Sequence, residues 1–423
     1  MMSQSHRPNL RPNGPGGGPA GGFEAPFYRA PEAVRTVFLV TLAAACGPLA
    51  AGAMLFGWRV LVVAGISVAS CTVIERLYYR VTRTPALLGR SHAYLTGILL
   101  ALTLPAFVPW YVPLIASAFA IIVGKAIFGG VGHFLWQPAL VGRLAVAVMF
   151  PQLLNPPTWN MLARERLLVG DITIARNVGQ FHQWEGRPAP QGADAFKVQP
   201  PSAVLAGLTD RQYPAFSALA YQPSPHDVPG PKPAALSKMP QIKELFYGAR
   251  PGGIGETCII VIVVAGMYLV YRHYVKWQLP VVFILSAAIV VAIAPVYFAG
   301  AQGPIKHWWP IAVEGFDVGF VYVCYQLLSG ELLLAAFFLA TEMTTRPVTA
   351  GGQVLFGIGC GLVAMVLRMF VGVPIPCYLA VLAMNTFTPT INALWRPRVL
   401  GKRSLLGRLL NRRGSYDRRP DRQ

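Results

Sequence analysis

Charge is scarce in this chain. Of 423 residues, 13% are charged and only 17 are Asp or Glu. A soluble domain carries about 25% charged residues, so an ordinary soluble globular protein is excluded. There is no G-x-S-x-G and no Walker loop, which removes nucleophile-elbow hydrolases and P-loop nucleotide enzymes. The six cysteines (Cys46, Cys71, Cys258, Cys324, Cys360, Cys377) all lie in apolar segments, and none forms a C-x-x-C pair. They read as small buried hydrophobes, with no iron–sulfur or zinc site among them. His133, beside Gly132 in a connection, is one histidine and no metal site. The first 22 residues are rich in Gly, Pro and Asn and lack an apolar core. Residues 1–33 therefore read as a disordered cytoplasmic leader, not a signal peptide.

Apolar residues make up 54% of the chain, against a net charge of +19. The tail, residues 396–423, holds ten Arg or Lys against Asp417 and Asp421, a net +8. Beside a membrane segment, such a run reads as a cytoplasmic flank meeting anionic lipid rather than as a nucleic-acid arm. A spanning helix needs roughly 20 apolar residues. Candidates are Thr36–Trp58, Arg59–Ile74, Trp110–Phe128, Pro138–Leu153, Glu256–Val270, Pro280–Phe298, Gly351–Phe370 and Ile375–Trp395. Two shorter segments, His92–Leu104 and Ser329–Thr341, bring the count to about ten. The fold class is an all-α polytopic membrane protein. Arg76, Arg80, Arg83 and Arg90 after the second segment, and Arg272 and Lys276 after the fifth long one, fall on the same side as the basic tail. Both termini are then cytoplasmic and residues 155–254 form a long external loop. Trp308 and Trp309 read as an interfacial aromatic belt.

The two short segments resemble each other. "LTGILLALTLP" begins at Leu95 and "LSGELLLAAFFLAT" at Leu328. Each is followed by a full helix, then a basic residue near Phe and Gly: Lys125, Phe128 and Gly129 in one case, Arg368, Phe370 and Gly372 in the other. A last helix follows in each. The layout predicted is two five-segment repeats, residues 34–154 and 255–395. Paired, interrupted short segments at matching positions point to a midplane site. Ser329-Gly330 is expected to start a broken helix facing Thr96-Gly97.

The stretches "GKAIFGGVGHFLWQPALVGR", "GGIGETCIIVIVVAGMYLVYR", "SGELLLAAFFLATEMTTRPVT" and "AVLAMNTFTPTINALWRPR" resemble the RnfD/NqrB family, over about Val34 to Leu400. Members of that family are membrane subunits of Rnf electron transport complexes and of Na+-translocating NADH:quinone reductases. The resemblance implies a ten-helix inner-membrane subunit of a complex that couples electron flow to Na+ or H+ movement. It implies partners bearing flavin and iron–sulfur groups, and no turnover by the chain alone. It also implies FMN, esterified to a Thr of an external "SGATP"-like motif, or riboflavin held with the complex. Here "DAFKVQPPSAVL" aligns with that motif and puts Pro200 in the acceptor slot. Proline has no hydroxyl, so covalent FMN is not expected there. Ser202, two residues on, is the nearest alternative acceptor. The family's "ATDP" is here Ala340-Thr341-Glu342, with Pro347 displaced, and its Asn-Pro run is here Phe134 to Pro138.

The polar residues left in apolar surroundings are the candidate site. Glu331 follows Ser329-Gly330 inside an apolar run, where a carboxylate is costly unless paired or facing water. It reads as a cation or proton site, or as an interface residue. Glu342 closes the same run and reads as part of an ion path or as an interfacial acid. Thr96 and Ser329 would line that path. Glu256 and Thr257 open a helix after a glycine loop and read as a dipole-matched first turn or as a flavin-admitting loop. Lys125 and Arg143 lie near helix ends and read as snorkelling bases or as contacts to a flavin phosphate. The expected function is the membrane subunit of an Rnf/Nqr-like ion-translocating complex; the alternative is a stand-alone solute or ion channel or transporter on the same duplicated fold.

Overall fold

The computed structural model describes residues 34–82, 92–129, 133–154, 158–160, 195–197, 205, 242–248, 252–300, 303–308 and 316–395. α1 (Val34–Phe56) and α2 (Arg59–Thr82) form a hairpin turned at Gly57. α2 runs on to Thr82 instead of ending at Ile74, which carries Glu75 well inside the helix. α3 (Ala93–Thr103) is short because Leu104 is extended and Pro105 follows, a residue that cannot continue the hydrogen-bond ladder. α4 (Tyr111–Ile121) passes into a π-turn, Ile122–Ala126, and α5 (Pro138–Met149) opens on a proline. α6 (Pro151–Leu154) follows, then a short ladder of β1 (Thr158–Asn160) with β2 (Ala195–Lys197), then α7 (Ile242–Tyr247).

α8 (Ile259–Tyr271) begins the second set, three residues later than Glu256. α9 (Gln278–Ile293) stops at Ala294, whose extended backbone before Pro295 replaces the expected continuation to Phe298. An antiparallel hairpin, β3 (Val296–Gly300) and β4 (Gly303–His307), leads to α10 (Phe316–Leu328). α11 (Leu332–Leu334) continues as a π-turn, Ala335–Leu339. α12 (Ala350–Val366) passes into a third π-turn, Leu367–Val371, and α13 (Pro376–Leu394) completes the described chain.

Among the described residues, three helical stretches are long and apolar enough to cross a membrane: Arg35–Phe56, Arg59–Thr82 and Ala350–Val371. The bent pair Gly319–Leu328 and Leu332–Leu339, with 62° between its arms, is apolar enough together for a broken span or a re-entrant loop. A 22-residue helix is about 33 Å long at ~1.5 Å per residue, enough for a hydrocarbon core of about 30 Å. Their outer faces carry exposed Leu61, Val73, Leu355 and Leu362, which would be unfavourable against water and are at home against lipid. Exposed Trp58, Trp110, Trp277 and Trp395 lie at helix ends, where amphipathic rings favour the bilayer interface.

One succession of features occurs twice. A helix ends in a π-turn carrying a basic residue (Lys125; Arg368), a left-handed glycine follows (Gly129, φ +97°; Gly372, φ +70°), and the next helix opens on proline (Pro138; Pro376). A side chain at either glycine would be strained, so the spacing of four residues from basic residue to glycine in both stretches has a backbone cause. The packing repeats as well. α4 lies on α2 and α5, as α12 lies on α9 and α13, while α1 packs on α8 and α5 on α13 across the seam.

Candidate functional site

The break in the bent pair is built by two residues. Ser329 N–H still bonds back to Tyr325 O at 2.9 Å, and Gly330, at φ +76°, turns the chain out of the helix. Glu331 then starts α11, its carbonyl accepting from Ala335 N–H at 2.9 Å. Residues 332–340 are buried throughout. Glu331 and Glu342 flank this buried stretch, eleven residues apart, or about 16 Å at ~1.5 Å per residue. A cluster of charge sits at each end.

At the first end, Glu331 is 6% exposed, and its Oε1 accepts the Cys377 N–H at 2.5 Å. That N–H is one of the unpaired donors in the first turn of α13. Arg368, in the third π-turn, donates to Gln326 O at 2.7 Å and to Cys377 Sγ at 3.4 Å, and its Nε is buried with no partner among the described residues. Glu256 accepts from Gly253 N–H at 3.0 Å through Oε2 and from the Tyr378 hydroxyl through Oε1. Arg143 donates through Nε to Thr103 O at 3.0 Å, at the open carboxyl end of α3. Glu256, Arg368 and Arg143 all act electrostatically on Glu331. Two carboxylates face two guanidiniums, so this end is charge-balanced. The hydroxyls of Ser329 and Thr257 are buried with no partner among the described residues.

At the second end, Lys125 Nζ lies 2.8 Å from Glu75 Oε1, with both side chains 2% exposed. The Gln137 side chain caps α5, accepting from Leu140 N–H at 2.7 Å, and lies beside Glu342. Lys125 acts electrostatically on Glu342 as well. Oε2 of Glu75 and Oε2 of Glu342 are each buried without a hydrogen-bond partner among the described residues. Among the described residues, two carboxylates here face one ammonium.

The placement differs from the sequence reading in informative ways. Thr96 and Gly97 lie inside α3, which starts at Ala93, and do not start a half-helix. Gly97 instead lets α3 press on the α2 backbone: a Cβ there would lie 2.7 Å from Val68 Cα. The break in the first half is at the other end of α3, because the prolines lie there. Its free carbonyls are taken by Arg143 and by the glycine loop: Ile254 N–H donates to Leu104 O at 2.9 Å and Gly255 N–H to Leu102 O at 2.8 Å. Two helix amino ends (α11 and α13) and one carboxyl end (α3) thus meet the first cluster, and neither amino end is at Thr96-Gly97. Lys125 and Arg143, read as snorkelling bases or flavin contacts, are both buried and committed to Glu75 and Thr103. Glu256 is tied to Tyr378. Ser202 and Pro200 lie outside the described residues. Glu75, Gln137, Tyr378 and Cys377 were not singled out from the sequence. Glu75 carried one signal, an acid followed by seven more residues of uninterrupted helix.

Buried, paired charges at the ends of broken helices, set between two similarly built sets of apolar helices, define a multi-pass membrane protein with a polar interior. A sequence model of the NQR2, RnfD, RnfE family matches residues 23–401, and the chain belongs to that family. It is 30% identical over 389 residues to the D-type subunit of the ion-translocating oxidoreductase complex of Halorhodospira halophila, covering 90% of this chain and 95% of the relative. It is 26% identical to the D-type subunit of the Na(+)-translocating ferredoxin:NAD(+) oxidoreductase complex of Acetobacterium woodii, covering 89% and 94%. It is 28% identical to the proton-translocating counterpart of Clostridium ljungdahlii, covering 90% and 95%.

Proposed function

We propose that this chain is the membrane subunit of an Rnf/Nqr-like complex of a bacterial inner membrane, coupling electron transfer to Na+ or H+ movement. The ion passes along the seam between two five-segment halves, past Glu331 and Glu342. Five is odd, so the second half runs opposite to the first. The Lys125 end then faces the cytoplasm and the Arg368 end the outside, with both termini cytoplasmic and residues 155–254 external. One observation carries this reading: two buried charged clusters stand at the two ends of one buried broken helix. Ionisable groups in such a place are costly and are kept where they serve a path. Membership over nearly the full length of subunits of multi-protein complexes favours a subunit over a stand-alone channel. No covalent FMN is attached at Pro200, and electrons are carried by flavin or iron–sulfur groups of partner subunits. FMN or riboflavin held without a bond remains compatible with the chain.

The test is Glu331→Gln and, separately, Glu342→Gln in the complex reconstituted in vesicles. Sodium-22 uptake, acidification of a trapped pH dye and electron transfer are read together. The expected outcome is normal insertion with ion uptake per electron lost. Uptake per electron equal to the parent's in both variants rejects the path.

A further inference from the structure

We propose that Lys125 is a tethered counter-ion shared between Glu75 and Glu342, so that the transported cation occupies whichever carboxylate the ammonium leaves. This rests on the proposed ion path and adds to it Glu75 and a working role for Lys125.

Charge balance is the first argument. Among the described residues, the Arg368 end has two acids and two bases, and the Lys125 end two acids and one base. A lone carboxylate in a low-dielectric interior is strongly unfavourable, which favours a further cation at the second end. The hydrogen bonding agrees. Lys125 is now on Glu75 at 2.8 Å. Glu342 lies in the field of Lys125 and beside Gln137, and its Oε2 is buried and unpartnered among the described residues. Oε2 of Glu75 is in the same condition. Each acid thus has an oxygen without a hydrogen-bond partner among the described residues.

The lysine is mounted to move. It lies in a π-turn closed by Ile127 N–H on Ile122 O at 3.1 Å, an arrangement in which one residue is in excess of an α-turn and which recurs at functional sites. Lysine is a compact charge on a flexible four-carbon stem. Gly124, next to it, holds the π-turn against the start of α5: a Cβ there would lie 2.9 Å from Pro138 Cα. Lys125 is therefore kept beside Gln137 and, through it, beside Glu342. His92 and Cys71 also lie within the field of Lys125; neither supplies a fixed positive charge at neutral pH. Glu75 belongs to α2 of the first half, and Glu342 follows the broken helix of the second. Exchange of the ammonium between them moves the cation from one half to the other.

The experiment uses the reconstituted complex, with Na+ as the probe in sodium-22 uptake and in the Na+ dependence of electron transfer, and the trapped pH dye as the probe where the parent moves protons. In Lys125→Met with Glu75→Gln, Glu342 has no competing ammonium. The cation concentration at half-maximal rate should fall by a factor in the range of about 5 to 150 usual for coupled sites, and uptake per electron should fall. Glu75→Asp draws back one carboxylate and leaves the ammonium nearer Glu342, so the same concentration should rise severalfold. Opposite shifts are not what general damage produces, and Glu75→Asp alone decides if the double variant does not assemble. A static ion pair predicts half-maximal concentrations equal to the parent's in both. That result overturns the proposal while leaving the path intact, provided Glu342→Gln stops uptake. Uptake unchanged in Glu342→Gln rejects the path and this proposal together.

Discussion

At the scale of single residues, a few polar groups decide what the apolar remainder must accommodate. Glu75→Gln takes away the carboxylate that Lys125 holds at 2.8 Å and leaves Glu342 as its remaining acid. An unpaired buried charge would cost about 3–5 kcal/mol, so the purified complex should melt at a lower temperature but lose less than that. Adding Lys125→Met should recover most of that loss. Pro200 makes a different prediction. Co-expressed with a flavin transferase, the chain should give no fluorescent band on a denaturing gel, and a band that disappears in Ser202→Ala would identify Ser202 as an acceptor instead. The sequence exposed Glu331 and Glu342 because a carboxylate inside an apolar run is conspicuous. It did not expose Glu75, since Glu75-Arg76 at the end of such a run looks like an interfacial pair until the helix is known to continue to Thr82. Tyr378 and Cys377 were hidden for another reason: they belong to an apolar run, and only the position of Pro376 turns them toward Glu256 and Glu331.

At the scale of elements, prolines and glycines set the breaks. Gly330 ends α10 in a left-handed conformation. A side chain there costs roughly 1–2 kcal/mol, so Gly330→Ala should lower the thermal midpoint and disturb the position of Glu331. Ser329→Ala needs no such backbone and removes a hydroxyl that is buried and unpartnered among the described residues, so it should leave the thermal midpoint equal or raise it. Paired melting curves separate the two. Most helices were readable from apolar length and from Pro105, Pro138 and Pro376. The break in the first half was read at the wrong end of α3, because Thr96-Gly97 imitates Ser329-Gly330 in composition while its glycine serves close packing on α2. The π-turns were not readable at all. Their residues, such as Ile122 to Ala126, are those of any apolar helix, and the shift from i→i+4 to i→i+5 bonding leaves no mark in composition.

At the scale of the whole molecule, α4 packs on α2 and α5 and α12 on α9 and α13, while α1 meets α8 and α5 meets α13. The repeated order of basic residue, phenylalanine and glycine was visible in the sequence; the prolines that open the next helices as part of it, and which helices touch, were not, since the outer faces are apolar. For the proposed orientation, cysteines placed at Gly192 and Gly401 should respond differently to an impermeant label on intact cells. Label should reach Gly192→Cys and not Gly401→Cys; the reverse pattern would refute the topology.

The π-turns also bear on how this chain can change over generations. Each holds one residue more than an α-turn, so losing a single codon, for example that of Val123, would give a regular helix of nearly the same length. The helix would still span and pack, and the residues beyond the turn would keep their face, but those within it, Lys125 among them, would be re-aimed. A one-codon gain or loss is thus a small genetic step that spares the fold while redirecting a buried charge. Lineages that move different ions can differ at such points without rebuilding a single helix.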